Sequence, residues 1–338
     1  MSSVSPTVAR PSAGPGDGAL LQTRRLSVSF PTAVGPVAVV DEVDVTIRTG
    51  RTLGLIGESG SGKTMLANAL IGLLPDAAVV GGQILFRGED LAAVPAARRR
   101  AVRGREISMV FQDPLSALNP TQRIWKQVSE IPRRDGASRA DARRLALDRL
   151  AEAGVPEPAQ RLDVFPHQLS GGLRQRVMIA LALAGEPELL LADEPTTALD
   201  VTVQARILAL LKRLQEERYM SMLLVSHDLR VVSHVAHDLV VMYAGRVCEA
   251  GPASTVIGRP AHPYTRALTR SIPSVHQKKA LPSPLPGAPA SPYARPSGCA
   301  FNPRCPIAQD ICREVVPPVR EVAPDRTVAC HFAEEVLG

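Results

Sequence analysis

Residues 52–64, TLGLIGESGSGKT, are the most informative segment of this chain for its fold class. It begins with an apolar run that is typical of a buried parallel strand. The pattern G-x-x-x-x-G-K-T follows at 57–64 and predicts a phosphate-binding loop, and the apolar periodic segment after it predicts a helix that ends before Pro75. Backbone N–H groups of such a loop converge on phosphate oxygens, and the helix N-terminus adds positive potential. We therefore expect an α/β protein in which Lys63 reaches the β- and γ-phosphates and the Thr64 hydroxyl holds Mg²⁺.

Two further apolar runs carry polar side chains at their carboxyl ends. LLLA at 189–192 is followed by Asp193 and Glu194, and MLLVS at 222–226 is followed by His227. Ligands of open α/β sheets bind at the carboxyl ends of the strands. One carboxylate is predicted to support Mg²⁺ and the next to polarise the attacking water, while His227 is predicted to contact the γ-phosphate.

A second anion site is predicted in HQLSGGLRQRVMIALAL, residues 167–183. Ser170, Gly171 and Gly172 open an amphipathic helix, and this arrangement cradles an anion on backbone N–H groups. One nucleotide does not need two cradles. The second cradle is therefore predicted to serve a nucleotide that another subunit holds.

Composition sets limits on the class of protein. The 338 residues suffice for two domains, and apolar runs such as VMIALALA at 177–184 are far shorter than the roughly 18–20 residues of a membrane span. The net charge of +6 includes arginine-rich stretches at 98–105 and 133–149, which we interpret as solvated helix faces. Aromatic residues make up 3%, which argues against a stacking platform for single-stranded nucleic acid. Residues 1–20 predict a disordered lead without the apolar region of a secretory signal.

Four of the five cysteines lie near the end of the chain, with the spacing C-x5-C-x6-C-x17-C. The absence of an export signal predicts a reducing compartment, which favours metal binding over disulfides. Four thiolates suit either a tetrahedral zinc ion or an iron–sulfur cluster. The spacing leaves this choice open, because neither the paired C-x2–4-C hooks of zinc sites nor the C-x2-C-x2-C run of ferredoxins is present. The four residues are Cys299, Cys305, Cys312 and Cys330.

Taken together, these motifs resemble the ATP-binding subunit of an ABC transporter. GESGSGKT, LSGGL, LLLADE, TALD and SHD stand in the order of that family between residues 25 and 250. The resemblance implies an ABC ATPase domain over 21–258, built from a RecA-like P-loop core, a small antiparallel β-subdomain and a helical subdomain inserted at about 97–175. It also implies that two such subunits pack head to tail, with each ATP between the P-loop of one chain and the LSGG signature of the other.

The same resemblance implies roles for individual residues. Gln112 in VFQDPLSALNP is similar to the Q-loop glutamine, and Phe30 in LSVSF is placed like the aromatic residue that stacks on adenine, although a strand core residue is an equal interpretation. Glu194 is implied as the catalytic base, oriented with His227. The implied ATP-binding residues are Phe30, Gly57, Glu58, Ser59, Gly60, Ser61, Gly62, Lys63, Thr64, Gln112 and Asp193, with Mg²⁺ at Thr64, Gln112 and Asp193. The implied signature is Leu169, Ser170, Gly171, Gly172 and Leu173, where leucine replaces the more frequent final glutamine, and the implied D-loop is Ala198, Leu199 and Asp200.

A finer resemblance points to the oligopeptide/dipeptide importer branch of the family. It rests on FQDPLSALNPTQRI (111–124), EPTTALDVTVQA (194–205), PAHPYTRAL (260–268) and GCAFNPRCPIAQDIC (298–312). It implies a small C-terminal extension at 259–338, which includes a proline-rich linker and holds a 4Fe–4S cluster on the four cysteines, with zinc or reduced structural thiols as alternatives.

The branch also implies partners and a location. These are two transmembrane permease subunits, a second related ATPase chain that forms a heterodimer with this one, and an extracytoplasmic peptide-binding protein. The chain is then expected at the cytoplasmic face of the membrane, without a nucleic acid partner.

Three alternative functions differ in what they predict. The same machine could import nickel, glutathione or another small solute, because this subunit does not touch the cargo. An ABC ATPase that acts on DNA or ribosomes suits the basic charge, but the single P-loop and the absence of sustained heptads argue against it. A binding module without turnover is disfavoured by the presence of both Glu194 and His227.

Overall fold

The computed structural model describes residues 18–33, 35–197, 199–270 and 287–338. Most of the predicted disordered lead, together with Ala198 and part of the proline-rich linker, lies outside these ranges. The predicted end of the lead at residue 20 overlaps the first strand, which begins at Ala19. In that strand Leu20 and Leu21 are buried, so the apolar packing of the antiparallel sheet includes them.

The strands of the described residues form two sheets. The strands are β1 Ala19–Thr32, β2 Gly35–Val43, β3 Thr46–Arg48, β4 Thr52–Ile56, β5 Val79–Phe86, β6 Glu89–Asp90, β7 Ile107–Val110, β8 Leu189–Asp193, β9 Ser221–Ser226, β10 Asp238–Tyr243, β11 Arg246–Pro252, β12 Arg320–Ala323 and β13 Arg326–Val328. One sheet is antiparallel, in the order β2-β1-β5-β6 with β3 on β1, and the other has the order β12-β13-β11-β10-β4-β9-β8-β7.

Parallel pairing in the second sheet places the motif-bearing strands side by side. The strands β10, β4, β9, β8 and β7 are parallel neighbours in that order. Every residue of β4, β8 and β9 is buried, as expected for strands that are covered on both faces. The predicted α/β class with a P-loop core and an antiparallel β-subdomain is thereby confirmed.

Helices surround the parallel strands and fill the segment between β7 and β8. The helices are α1 Lys63–Ile71, α2 Ala96–Val102, α3 Pro114–Ala117, α4 Ile124–Val128, α5 Glu130–Arg134, α6 Arg139–Glu152, α7 Pro158–Arg161, α8 Gly171–Leu183, α9 Val201–Arg218, α10 Leu229–Ser233, α11 Ala253–Gly258, α12 Pro263–Arg270, α13 Asp310–Glu314 and α14 Ala333–Leu337. The range of about 97–175 predicted for the helical subdomain contains β7, which pairs with β8 in the central sheet. Across the described parts of the chain, none of the helices combines the length and the apolar character that a membrane span needs.

The C-terminal extension continues the central sheet. Strand β13 pairs antiparallel with β11, so that Glu249 lies opposite Val328 and Ala250 opposite Thr327, and β12 pairs with β13. The extension is therefore joined to the ATPase sheet by backbone hydrogen bonds, which the sequence did not indicate.

Candidate functional site

The phosphate loop joins β4 to α1, and its glycines are required by close backbone contacts. A Cβ atom on Gly57 would lie 2.3 Å from the carbonyl oxygen of Met242. Gly62 has a φ of 98°, and a Cβ there would lie 2.5 Å from the carbonyl oxygen of Val39. A side chain at either position would therefore displace the loop from the strands that support it.

Lys63 is the first residue of α1 and is buried. Its Nζ atom donates hydrogen bonds to the carbonyl oxygens of Gly57, at 2.8 Å, and Glu58, at 3.0 Å. Burial lowers the pKa of Lys63, against the opposing effect of the carboxylates of Glu194 and Asp193. The ammonium group thus lies inside the loop, where a phosphate would meet it.

Thr64 and Asp193 are brought together, as the metal prediction requires. The Thr64 hydroxyl donates a hydrogen bond of 3.3 Å to Oδ1 of Asp193 at the end of β8. Asp193 is buried, and this burial raises the pKa of its carboxyl group. A hydroxyl and a carboxylate side by side at the carboxyl end of a parallel strand are suitable oxygen ligands for Mg²⁺.

Glu194 is the point at which several predicted residues meet. Its Oε2 atom accepts hydrogen bonds from the Thr197 hydroxyl at 2.8 Å and from the Gln112 amide at 3.3 Å, and lies 3.2 Å from Nδ1 of His227. The backbone N–H of Glu194 donates to the carbonyl oxygen of Val225 in β9. The carboxylate is therefore fixed by groups from three separate segments of the chain.

The signature lies at the start of α8. Ser170 is the N-cap of α8 and makes no capping hydrogen bond with its side chain, Leu169 is buried, and Leu173 packs against the larger core. In the D-loop, Leu199 packs against the same core and Asp200 caps α9. No backbone hydrogen bond in the described ranges joins the signature to the P-loop, and its role toward the ATP of another chain stays a prediction.

Phe30 lies in β1 opposite Val37 and packs, partly buried, against the core of the antiparallel sheet. This contact agrees with the interpretation of Phe30 as a core residue of the strand, which was one of the two interpretations of the sequence. Its role in stacking on adenine stays a prediction.

Arg304 and Tyr264 contact the P-loop, although the sequence patterns did not predict them as site residues. The Glu58 carboxylate forms a two-pronged ion pair with Arg304, with contacts of 2.6 and 3.0 Å, and the Glu58 backbone N–H donates a 2.8 Å hydrogen bond to the Tyr264 hydroxyl. Both partners belong to the extension. No signal in the sequence connects them with Glu58, because 206 residues or more separate them from it.

The four clustered cysteines line one small cavity, together with His331. Burial raises the pKa of Cys299 and of Cys330 to about 11, and the other thiols of the cluster add to the effect. Among the described residues, no three His, Cys, Asp or Glu side chains are arranged to hold a metal ion. The structure therefore gives no direct support to the zinc or the cluster prediction, although it brings the four thiols together.

Comparison with known proteins identifies the class. The family model for ABC transporters matches residues 40–197, and the model for the oligopeptide/dipeptide transporter C-terminal region matches residues 248–312. A solved dimeric ABC transporter cassette, MJ0796, is 27% identical with a TM-score of 0.63, and the match covers 69% of this chain and 98% of that one. The fold and the site thus define an ABC-type ATPase.

The similar curated proteins are more specific. Dipeptide transport ATP-binding protein DppD of Escherichia coli K12 is 45% identical over 95% of this chain and 98% of its own length. Oligopeptide transport ATP-binding protein OppD of Salmonella typhimurium is 43% identical over 94% of this chain and 95% of its own length. The chain belongs to the ABC transporter family as an ATP-binding subunit of the DppD/OppD type.

Proposed function

We propose that this chain hydrolyses ATP to power the import of dipeptides or oligopeptides. The observation that carries the ATPase role is the convergence of Gln112, Thr197 and His227 on one oxygen of Glu194, next to the pair formed by Thr64 and Asp193. The peptide cargo is supported by the relatives named dipeptide and oligopeptide transport proteins.

The chemistry follows from the positions of these groups. The P-loop N–H groups and Lys63 would bind the β- and γ-phosphates, and Thr64, Asp193 and Gln112 would supply ligands for Mg²⁺. The metal, when bound, neutralises charge on the transferring phosphoryl group. Glu194 accepts a proton from the attacking water or orients it, and His227 fixes the carboxylate. Lys63 stabilises the charge that develops at the γ-phosphate.

The assembly is proposed from the exposed parts of the site. The Ser170 side chain makes no capping hydrogen bond at the N-terminus of α8, which suits the ATP of a second, related ATPase chain, with Leu199 and Asp200 at the same interface. Phe111 and Leu115 flank Gln112 with exposed apolar side chains, which supports contact with two permease subunits at the cytoplasmic face of the membrane. An extracytoplasmic binding protein delivers the peptide, and Phe30 contacts adenine. We propose that the ATPase domain begins with β1 at Ala19 and runs to residue 258, and that the extension covers 259–338.

The variant Glu194→Gln tests the ATPase role. In the reconstituted complex, we expect ATP binding to persist and turnover to fall by roughly 10²- to 10⁴-fold, the usual contribution of a general base. Glu217→Gln is the control, because Glu217 is exposed and pairs only with Arg213 in the described contacts. Normal turnover in Glu194→Gln would exclude the role proposed for this residue.

Uptake by proteoliposomes that contain the whole complex tests the cargo. Labelled dipeptides and longer peptides should be taken up with ATP and compete with each other, whereas nickel and glutathione should not. Uptake of nickel or glutathione alone would replace the peptide proposal and leave the ATPase role intact. Membrane association only when the permease subunits are present would exclude an ATPase that acts on nucleic acid.

We further propose that Cys299, Cys305, Cys312 and Cys330 hold a 4Fe–4S cluster. The support for this proposal is that the four thiols line one cavity, since a 4Fe–4S cluster takes four thiolate ligands. Because burial raises the pKa of Cys299 and Cys330 to about 11, thiolates at these two positions would need a bound cation to stabilise them.

The assay is iron and acid-labile sulfide in anaerobically purified protein, with an absorption spectrum. We expect about four of each per chain, as the cluster composition requires. Cys330→Ser should lower both, while Cys248→Ser should not, because Cys248 is a buried thiol of β11 outside that cavity. Zinc without sulfide would make the extension a zinc site instead.

A further inference from the structure

The phosphate loop contains an acidic residue, Glu58, directly after its first glycine. Its side chain is partly buried and its carboxylate is bound by the guanidinium of Arg304, with Nη1 to Oε2 at 2.6 Å and Nη2 to Oε1 at 3.0 Å. Two parallel hydrogen bonds between opposite charges form a strong and directional contact. This contact thus fixes the direction of the Glu58 carboxylate and restricts rotation of the side chain.

The surroundings of Arg304 keep it in this position. Its side chain is 4% exposed, Nη1 also donates to the Tyr243 hydroxyl at 3.2 Å, and its guanidinium lies 5.9 Å from the centres of the rings of Tyr243 and Phe301. The Tyr264 ring packs on both of these rings. Arg304 therefore extends from a packed aromatic cluster to the P-loop.

The hydroxyl of Tyr264 makes the second contact with the loop. It accepts the Glu58 backbone N–H at 2.8 Å, and Tyr264 itself is fully buried. The side chain and the backbone of the same P-loop residue are thereby both fixed by the C-terminal extension.

Electrostatics explains why this matters for the nucleotide. A free carboxylate within the phosphate loop repels a triphosphate, and the low dielectric of a partly buried site strengthens this repulsion. An arginine that neutralises the carboxylate and turns it aside removes the penalty. We propose that Arg304 and Tyr264 are positioning residues of the ATP site, which act through Glu58 and make tight ATP binding depend on the C-terminal extension. This inference rests on the proposed ATP site.

The experiment measures the Kd of the non-hydrolysable analogue AMP-PNP with Mg²⁺ by calorimetric titration of the purified full-length chain. Arg304→Gln should raise the Kd about tenfold, and Tyr264→Phe about threefold, by analogy with the loss of one partner of a desolvated charge pair and of one hydrogen bond. Adding Glu58→Gln to Arg304→Gln should bring the Kd back to within about threefold of the wild type, because the uncompensated charge is gone. Arg304→Lys keeps the charge and should lie between the wild type and Arg304→Gln.

Arg326→Gln is the matched control. Arg326 is also 4% exposed, lies in the extension, and forms an ion pair with the buried Glu249 of β11, which has no described contact with the P-loop. It should lower the unfolding temperature without nucleotide but leave the Kd of AMP-PNP within about twofold of the wild type.

The outcomes separate the inference from the proposed function. If the wild-type chain does not bind AMP-PNP, the proposed ATP site is wrong. If the wild type binds but Arg304→Gln binds equally well, or if the double variant stays as weak as the single one, the positioning role is wrong. An equal loss in Arg326→Gln would show general destabilisation and also overturn it. If Arg304→Gln does not fold, an unchanged Kd of AMP-PNP in both Arg304→Lys and Tyr264→Phe would show that the positioning role is wrong.

Discussion

Arg326→Gln should be among the most destabilising single changes in the extension, because of the carboxylate that it leaves behind. Glu249 is fully buried in β11 and accepts hydrogen bonds from the backbone N–H groups of Ala261 and His262 and from Arg326, the last at 2.7 Å. Removing the arginine leaves a buried negative charge with only the two backbone donors in the described contacts. Breaking a buried ion pair in this way costs about 3–5 kcal/mol.

That loss is a large share of the roughly 5–15 kcal/mol by which domains are stable. For a chain of 338 residues, with an unfolding entropy of about 2.1 cal/mol/K per residue, this loss corresponds to a fall in unfolding temperature of roughly 4–7 °C. The assay is thermal and urea unfolding followed by circular dichroism. Arg313→Gln serves as the exposed control, since its pair with Asp310 lies on the surface and contributes at most about 1 kcal/mol.

A second variant checks the reason for the loss. Glu249→Gln combined with Arg326→Gln removes the charge but keeps an acceptor for the two backbone N–H groups. We expect it to recover at least half of the lost stability, because no unpaired charge stays buried. A loss below about 1 kcal/mol in the single variant, or a double variant no more stable than the single one, would refute the reasoning.

Three further predictions concern stability outside the extension. Gly185→Ala should cost at least about 1–3 kcal/mol by urea unfolding, because its Cβ atom would lie 1.8 Å from the carbonyl oxygen of Gly104, and an unchanged midpoint would contradict this. Ser138→Ala should cost about 1 kcal/mol by the same assay, since the Ser138 hydroxyl caps α6, and a loss of helix signal in the native state is not expected. The Nδ1 atom of His237 accepts a hydrogen bond from the Thr52 N–H, and burial lowers the pKa of this histidine. The contribution of neutral His237 to the free energy of unfolding is therefore complete above a pH of about 6.5 and is lost as the pH falls through the lowered pKa. The urea midpoint should therefore fall between pH 7 and pH 5, and by less in His237→Asn, while an equal fall in both would exclude this cause.

Much of the ATP site could be predicted from the sequence, since its parts are short and local. The P-loop, the carboxylates after β8 and the histidine after β9 each follow a fully buried strand. Strands of this kind become parallel neighbours in an α/β sheet, so their carboxyl ends meet. The observed cluster around Glu194 agrees with that expectation, with Gln112 arriving from the segment after β7.

The extension could not be predicted in the same way. Its strands β12 and β13 are short and only partly apolar, so no periodicity indicates that they continue the central sheet. The contact of Arg304 with Glu58 spans 246 residues, and nothing in FNPRC distinguishes this arginine from a solvated one. Pairing between distant segments depends on the register of the assembled sheet, which a local pattern does not encode.

The two attachments of the extension have different physical consequences. The pair of Arg326 with Glu249 lies beside the backbone pairing of β13 with β11, so it fixes the extension on the sheet and has no described contact with the P-loop. Arg304 instead lies directly before Cys305, in a 3-10 turn at Asn302–Arg304 that begins three residues after Cys299, and its guanidinium reaches the P-loop. A ligand that binds both cysteines would hold the two ends of this turn and with them the backbone of Arg304. The turn thus lies between Cys299 and Cys305 of the four-cysteine cavity and carries the arginine that pairs with Glu58, whereas Arg326 has no described contact with the P-loop.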